Sequence, residues 1–266
     1  MSDGITLDPL TNPPPAGRDL ASPPIERVIV QVTFPEILAV TNPAVAAAFQ
    51  EKVRARYPFL RIDLAPDGRG GTQNLYRMGD THGRWRLSLG TSFVALETTA
   101  YTSRTEILER LAEVVTALNE TIRPGAATRI GIRYINRGQI ADTGGLKDIL
   151  RDGMAGAAGL FPSAHLSLSE THMPCAEGGI TIRYAQLPAG ASPDVNLLAP
   201  MQTPTWVFDI DTYTTSDVPV VDDFSAKAIS DIAAALATRA LAAFRWSFKQ
   251  DFLAMREAPE ANTVRH

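Results

Sequence analysis

Arg129-Ile130-Gly131-Ile132-Arg133-Tyr134-Ile135-Asn136 is the stretch whose reading decides the fold. Extended, it places Arg129, Gly131 and Arg133 on one face and Ile130, Ile132 and Tyr134 on the other, because side chains alternate along a strand. One face then suits a core and the other is cationic. The two guanidiniums stand about 7 Å apart along the strand, with a residue that has no side chain between them. That geometry admits two readings. The arginines present donors to a phosphate or carboxylate ligand, with Tyr134 and Asn136 as further candidates in the ligand-binding set. Alternatively they brace the sheet by pairing with carboxylates of neighbouring strands, for which Glu97, Asp209 and Asp211 are the candidates. Pairing is favoured, since these acids lie in plausible strands and no phosphate loop accompanies the arginines.

Upstream, residues 25–140 read as an N-terminal α+β half. Val28, Val30, Val32 and Phe34 alternate with Arg27, Ile29, Gln31 and Thr33, the pattern of a half-buried strand. Asn42-Pro43 opens a helix over 43–57 with Val45, Phe49, Val53 and Tyr57 as its stripe. A strand at Leu60 to Leu64 follows, then the turn Asp67-Gly-Arg-Gly-Gly71. Trp85, Leu87 and Leu89, a turn at Gly90, and the run Phe93 to Tyr101 predict an antiparallel hairpin. Ser103 and Glu106 form a capping box for a helix over 103–122, whose face is Ile107, Leu111, Val114, Val115, Leu118 and Ile122. Pro124-Gly125 ends it and delivers the chain into the opening strand.

Downstream, a glycine-rich join at 141–163 leads to a C-terminal half at 164–256. Strands are expected near His165 to Met173, Gly179 to Leu187 and Thr205 to Tyr213, the last two separated by a long loop at 188–204. Loops longer than about 15 residues in compact domains are usually binding elements or mobile segments, so this loop is a functional candidate. From Asp223 the pattern is helical to about Arg256 without a proline, predicting one long helix over 223–256. Residues 1–24, rich in proline, read as a disordered leader, and 257–266 as a tail. Ile132-Arg133-Tyr134 and Ile182-Arg183-Tyr184 echo one another, too briefly to establish a repeat.

The fold class expected is α+β: mainly antiparallel sheet from two halves, packed on helices, with a long C-terminal helix. A formal net charge of −4 argues against a general nucleic-acid binder. The single cysteine, Cys175, fits a reducing compartment, and the first residues lack the pattern of a secretory signal, so the expectation is cytoplasmic with no membrane span. No P-loop, dinucleotide fingerprint, His-Glu-x-x-His or nucleophile elbow occurs, which favours a non-enzymatic protein without a cofactor. Asp209-Ile-Asp211 puts two carboxylates on one side of a strand, too few for a metal unless Asp222 or Asp223 joins them. His165, His172 and Cys175 lack a fourth zinc ligand, and alternation sets the histidines on opposite faces. His82 belongs to a surface turn.

Pro24-Ile25-Glu26-Arg27-Val28 leading to Phe34, Trp85-Arg-Leu-Ser-Leu89, Thr99-Ala-Tyr101, the Arg129 to Asn136 stretch and Asp209-Ile-Asp211 together resemble a sporadically distributed bacterial family of proteins of similar length. The resemblance spans about residues 22–256 and is most specific at Arg-Ile-Gly-x-Arg-Tyr-Ile-Asn. It implies no catalytic residues. Sporadic distribution is a mark of mobile defence loci, which implies a protein-binding role, chaperone-like or antitoxin-like. Two functions are therefore carried forward: a protein-binding module using a sheet face or groove, and a small-anion or nucleotide binder at Arg129 and Arg133 with the 188–204 loop as lid.

Overall fold

The computed structural model describes residues 20–66, 70–161, 165–215, 221 and 224–257. Most of the expected leader and tail lie outside the described residues, as do Asp222, Asp223 and part of the turn at 67–71.

In chain order the elements are β1 (Ile25–Thr33), a short 3-10 turn (Leu38–Thr41), α1 (Pro43–Val53), β2 (Phe59–Pro66), β3 (Thr72–Gly79), β4 (Trp85–Leu89), β5 (Phe93–Thr98) and α2 (Arg104–Thr121). There follow β6 (Arg129–Gln139), the short helices α3 (Ile140–Thr143), α4 (Leu146–Ile149) and α5 (Gly156–Leu160), then β7 (Ser167–Cys175), β8 (Gly178–Leu187), β9 (Thr205–Tyr213), α6 (Ala226–Ser247) and α7 (Gln250–Ala254). The nine strands make one sheet in the order β2-β3-β4-β5-β1-β6-β9-β8-β7, with every neighbouring pair antiparallel. The fold is α+β.

The strand order is pseudo-symmetric about the β1/β6 pair, with five strands in the first half and four in the second. Each half begins with a central strand, makes a helical excursion to the far edge, returns inward as a meander that ends beside its own first strand, and closes with a long helix. By this correspondence β1 matches β6, β5 matches β9 and α2 matches α6. The tripeptide echo does not follow it, since Arg133 lies on β6 and Arg183 on β8, with β9 between them.

Alternation explains which face the helices cover. Val28, Val30 and Val32 of β1, Ile130 and Ile132 of β6, and Trp206, Phe208 and Ile210 of β9 all point to the helix side and are buried. One cluster of buried residues runs from Val28 to Leu253 and takes in both halves. Helix α6 packs on β6, β9 and α2, and α1 packs on α2. Ser103 caps α2 by accepting a hydrogen bond from Glu106 N at 3.1 Å, and Ser225 caps α6 from Ala228 N at 3.3 Å.

The structure departs from the sequence reading in several elements, and the short helices α3 and α5 lie in or beside the expected glycine-rich join. The single helix expected over 223–256 is two, because Phe248 and Lys249 are extended. Without a proline the cause is tertiary. Arg151 N donates to Ser247 O at 2.9 Å and Lys249 N to Ile149 O at 2.8 Å, forming a bridge between Leu150 and Phe248. The break lets Phe248 pack between Phe244, tilted at a centroid distance of 4.4 Å, and Phe252, stacked at 4.6 Å. Helix α1 ends at Val53, short of the expected Tyr57. Strand β3 was not anticipated.

Close packing leaves no room for a methyl group at Gly138, where a Cβ would stand 2.5 Å from the Trp206 indole. Trp206 is fully buried and its Nε1 donates to Thr143 Oγ1 at 2.7 Å, so it has nowhere to retreat. Gly138→Ala is expected to lower stability by about 1–3 kcal/mol, read as a lower urea midpoint at unchanged slope.

Candidate functional site

The face of the sheet turned away from the helices is lined by charges that answer one another from strand to strand. Its centre is Arg133, whose Nε and Nη2 donate to Oδ1 and Oδ2 of Asp209 at 2.8 and 2.6 Å. The pair is diagonal, since the residue directly opposite Arg133 is Asp211. Asp209 is only 5% exposed, so this two-point contact offsets a real desolvation cost. From the other flank of β9, Arg183 Nη1 approaches Asp209 Oδ2 to 3.8 Å while its Nε donates to Glu170 Oε2 at 2.8 Å. Glu170 also meets His172 Nε2 at 2.5 Å.

Arg129 is held differently. Its guanidinium lies 4.5 Å above the Tyr213 ring, and Nη2 is 3.8 Å from Asp211 Oδ2. The gap at Gly131 is occupied by this same group, because a Cβ there would stand 3.1 Å from Arg129 Nη1. The glycine therefore gives Arg129 room to fold back over its own strand.

Three residues of the expected site sit elsewhere. Tyr134 and Asn136 face the helices, on the opposite side of β6 from the arginines, as strict alternation demands. Tyr134 packs edge-on against Tyr101 with centroids 5.9 Å apart, and burial raises its phenol pKa. Asn136 Nδ2 donates to Phe208 O at 3.0 Å. Glu97 is taken by Arg27 at 2.8 Å and Arg86 at 2.6 Å rather than by Arg129 or Arg133, because β1 intervenes and its Ile29 stands opposite both Glu97 and Arg133. Asp209 and Asp211 do pair with the arginines.

The 188–204 loop lies on this same face. Leu197 and Leu198 pack on Ile135, Ala185, Leu187 and Val207. Arg27 Nε donates to Leu197 O at 2.9 Å and Arg137 Nη1 to Ala199 O at 2.6 Å, fastening the loop to β1 and β6. Between the loop and β7 runs a groove of about 430 Å³, lined by Arg133, Arg183, Asp209, Glu170 and Asp194 among apolar Ile135, Leu168, Ala185, Leu197, Leu198 and Val207. Arg129 is not part of it. Leu168, Glu170, Arg183 and Asp194 were not singled out from sequence as site residues. The available signal was the tripeptide echo, which puts Arg183 on the same face as Arg133 with one carboxylate strand between them.

Burial lowers the Arg133 pKa, but its hydrogen bonds to Asp209 and the charges of Asp209, Asp211 and Asp194 outweigh this and leave it above the ordinary value. Burial raises the Asp211 carboxyl, and the opposing pull of Arg129 and Arg133 does not reverse the shift. Among the described residues no three His, Cys, Asp or Glu side chains gather as a metal site. His172 faces outward beside Thr181, while Cys175 turns toward the core and burial raises its thiol pKa.

Removing Arg133 leaves Asp209 buried without its main partner. Arg133→Ala is expected to lower stability by about 3 kcal/mol, whereas Arg133→Met with Asp209→Leu recovers most of it, both read by chemical denaturation. Asp211 supplies a pH test. Its raised folded pKa contributes stability that is fully present below the unfolded value, about 4, and is lost as pH rises through the folded value. Asp211→Asn is expected to flatten the fall of the denaturation midpoint over that window; an unchanged profile would assign the proton to another group.

No family model matches the sequence, and a search of curated proteins finds no match to it.

Proposed function

We propose that this chain is a cytoplasmic, non-enzymatic protein-binding module whose groove between β7 and the 188–204 loop holds an extended segment of a partner. The observation that carries the reading is the groove itself: an apolar floor of Ile135, Ala185 and Val207, apolar walls of Leu168, Leu197 and Leu198, and polar groups at fixed positions. A cleft of about 430 Å³ suits a short run of side chains rather than a folded surface. Its charges are two guanidiniums, Arg133 and Arg183, against three carboxylates, Glu170, Asp194 and Asp209. That balance favours a segment carrying a basic side chain among apolar ones. It disfavours the anion or nucleotide alternative, as does the two-point contact that already occupies Arg133. The resemblance to sporadically distributed bacterial proteins agrees with a chaperone-like or antitoxin-like role in a mobile defence locus.

Leu168 is well exposed, so its replacement tests the groove without disturbing the core. Affinity capture from the native host at native expression level is expected to retain a partner on the wild-type chain and lose it on Leu168→Asp. Equal retention by both, or no specific protein on either, sinks the proposal. Phosphate and nucleotides are expected to leave the melting temperature unchanged; a rise abolished by Arg133→Ala would restore the anion reading.

A further inference from the structure

Strand β2 forms the edge of the sheet farthest from the groove, and among the described residues no strand pairs with its outer edge. Its pairing with β3 runs without a register shift from Phe59 opposite Gly79 to Pro66 opposite Thr72, so no bulge twists the edge away. Leu60 and Ile62 lie opposite the buried Met78 and Tyr76, on the helix side of the sheet. Here, however, the helices do not reach, and Leu60, Ile62 and Leu64 are 44, 50 and 72% exposed. Natural edge strands usually carry lysines or inward charges that prevent pairing. This one presents a leucine-isoleucine-leucine stripe.

The direction of its unpaired backbone groups follows from the ladder. Asp80 N donates to Trp85 O, so even-numbered residues of β3 bond toward β4 and odd-numbered ones toward β2. Phe59, Arg61, Asp63 and Ala65 accordingly bond β3, while the N–H and C=O groups of Leu60, Ile62 and Leu64 point off the edge. Pro66, lacking an N–H, ends that row, and Pro58 precedes it.

We infer that two copies of this chain associate through β2, antiparallel about a two-fold axis at Ile62, to continue the sheet across both molecules. The sequence is self-complementary in that register alone among its neighbours. Centred on Ile62, Leu60 faces Leu64 of the second copy and Arg61 faces Asp63, twice over by symmetry. Centring on residue 61 would oppose the two Arg61 side chains, and centring on 63 the two Asp63 side chains, which like-charge repulsion disfavours. In the single chain Arg61 turns to its own Asp63, at 2.6 and 2.8 Å, and is largely exposed. Asp63 also lies 3.1 Å from Arg77 of β3. The second copy gives Arg61 a carboxylate across the new strand pair and Asp63 a further cation, and the three apolar side chains cover their counterparts.

Sedimentation equilibrium of the full chain is expected to show a species of twice the 28.7 kDa chain mass. Asp63→Arg sets Arg61 opposite a new cation and is expected to weaken association at least about tenfold. Adding Arg61→Asp exchanges the two charges and is expected to restore it, which also shows that the single variant had not merely misfolded. Ile62→Pro removes an amide that bonds nothing among the described residues and is expected to give monomer with an unchanged circular dichroism spectrum. A monomeric wild type at every concentration overturns the inference. So does a dimer that Asp63→Arg and Ile62→Pro leave intact.

Discussion

Among the described residues helices cover one face of this sheet, and a strand in such a sheet can bury about every second side chain in the core beneath them. All the strands of the central region obey the same phase. Val28, Val30 and Val32, Trp85, Leu87 and Leu89, Val94 and Leu96, Ile130 and Ile132, and Trp206, Phe208 and Ile210 supply the core in alternate positions. The remaining positions must live on the open face, and there charge is matched sideways across strands. A largely exposed cation such as Arg61 gains little from its pair with Asp63. Asp209 differs, since it is nearly as buried as the core yet lies on the open side. Its arginine is therefore a structural requirement before it is a functional group.

The groove arises where the topological symmetry of the two halves fails. The β4/β5 connection turns tightly at Gly90, whereas its counterpart between β8 and β9 runs through 188–204 and folds back onto the sheet. Leu197 and Leu198 seat a second cluster of apolar residues on the open face. A symmetric framework thus carries an asymmetric site, created by one long connection.

Much of this was legible in the sequence because alternation is a local property. The strands around Val30, Leu87, Ile132 and Phe208, and the pairing of the arginines with Asp209 and Asp211, all follow from parity and sign of charge. Glu97 shows where that reasoning stops: its parity and charge are right, but strand order places β1 between it and Arg133. Strand β3, with Gln73, Asn74 and Arg77 among few apolar residues, has a pattern too weak to announce itself. The break at Phe248 was invisible for another reason, since it is imposed by segment 149–151, remote in sequence. Tyr134 and Asn136 carry the opposite lesson, because alternation alone already separates them from the arginines.

The position of β1 bears on how the chain comes to be folded as it is made. Among the described strands it is the first to be synthesised, and yet it ends at the middle of the sheet, with Val28 paired to Thr98 on one side and Val30 to Ile132 on the other. The meander of β2 to β5 has to be synthesised before the first flank closes, and the second flank stays bare until β6 emerges. Then β6 itself waits for β9. Such a schedule of distant pairings makes for slow folding and leaves a hydrophobic strand edge unprotected during synthesis, the state most in need of a cellular holdase.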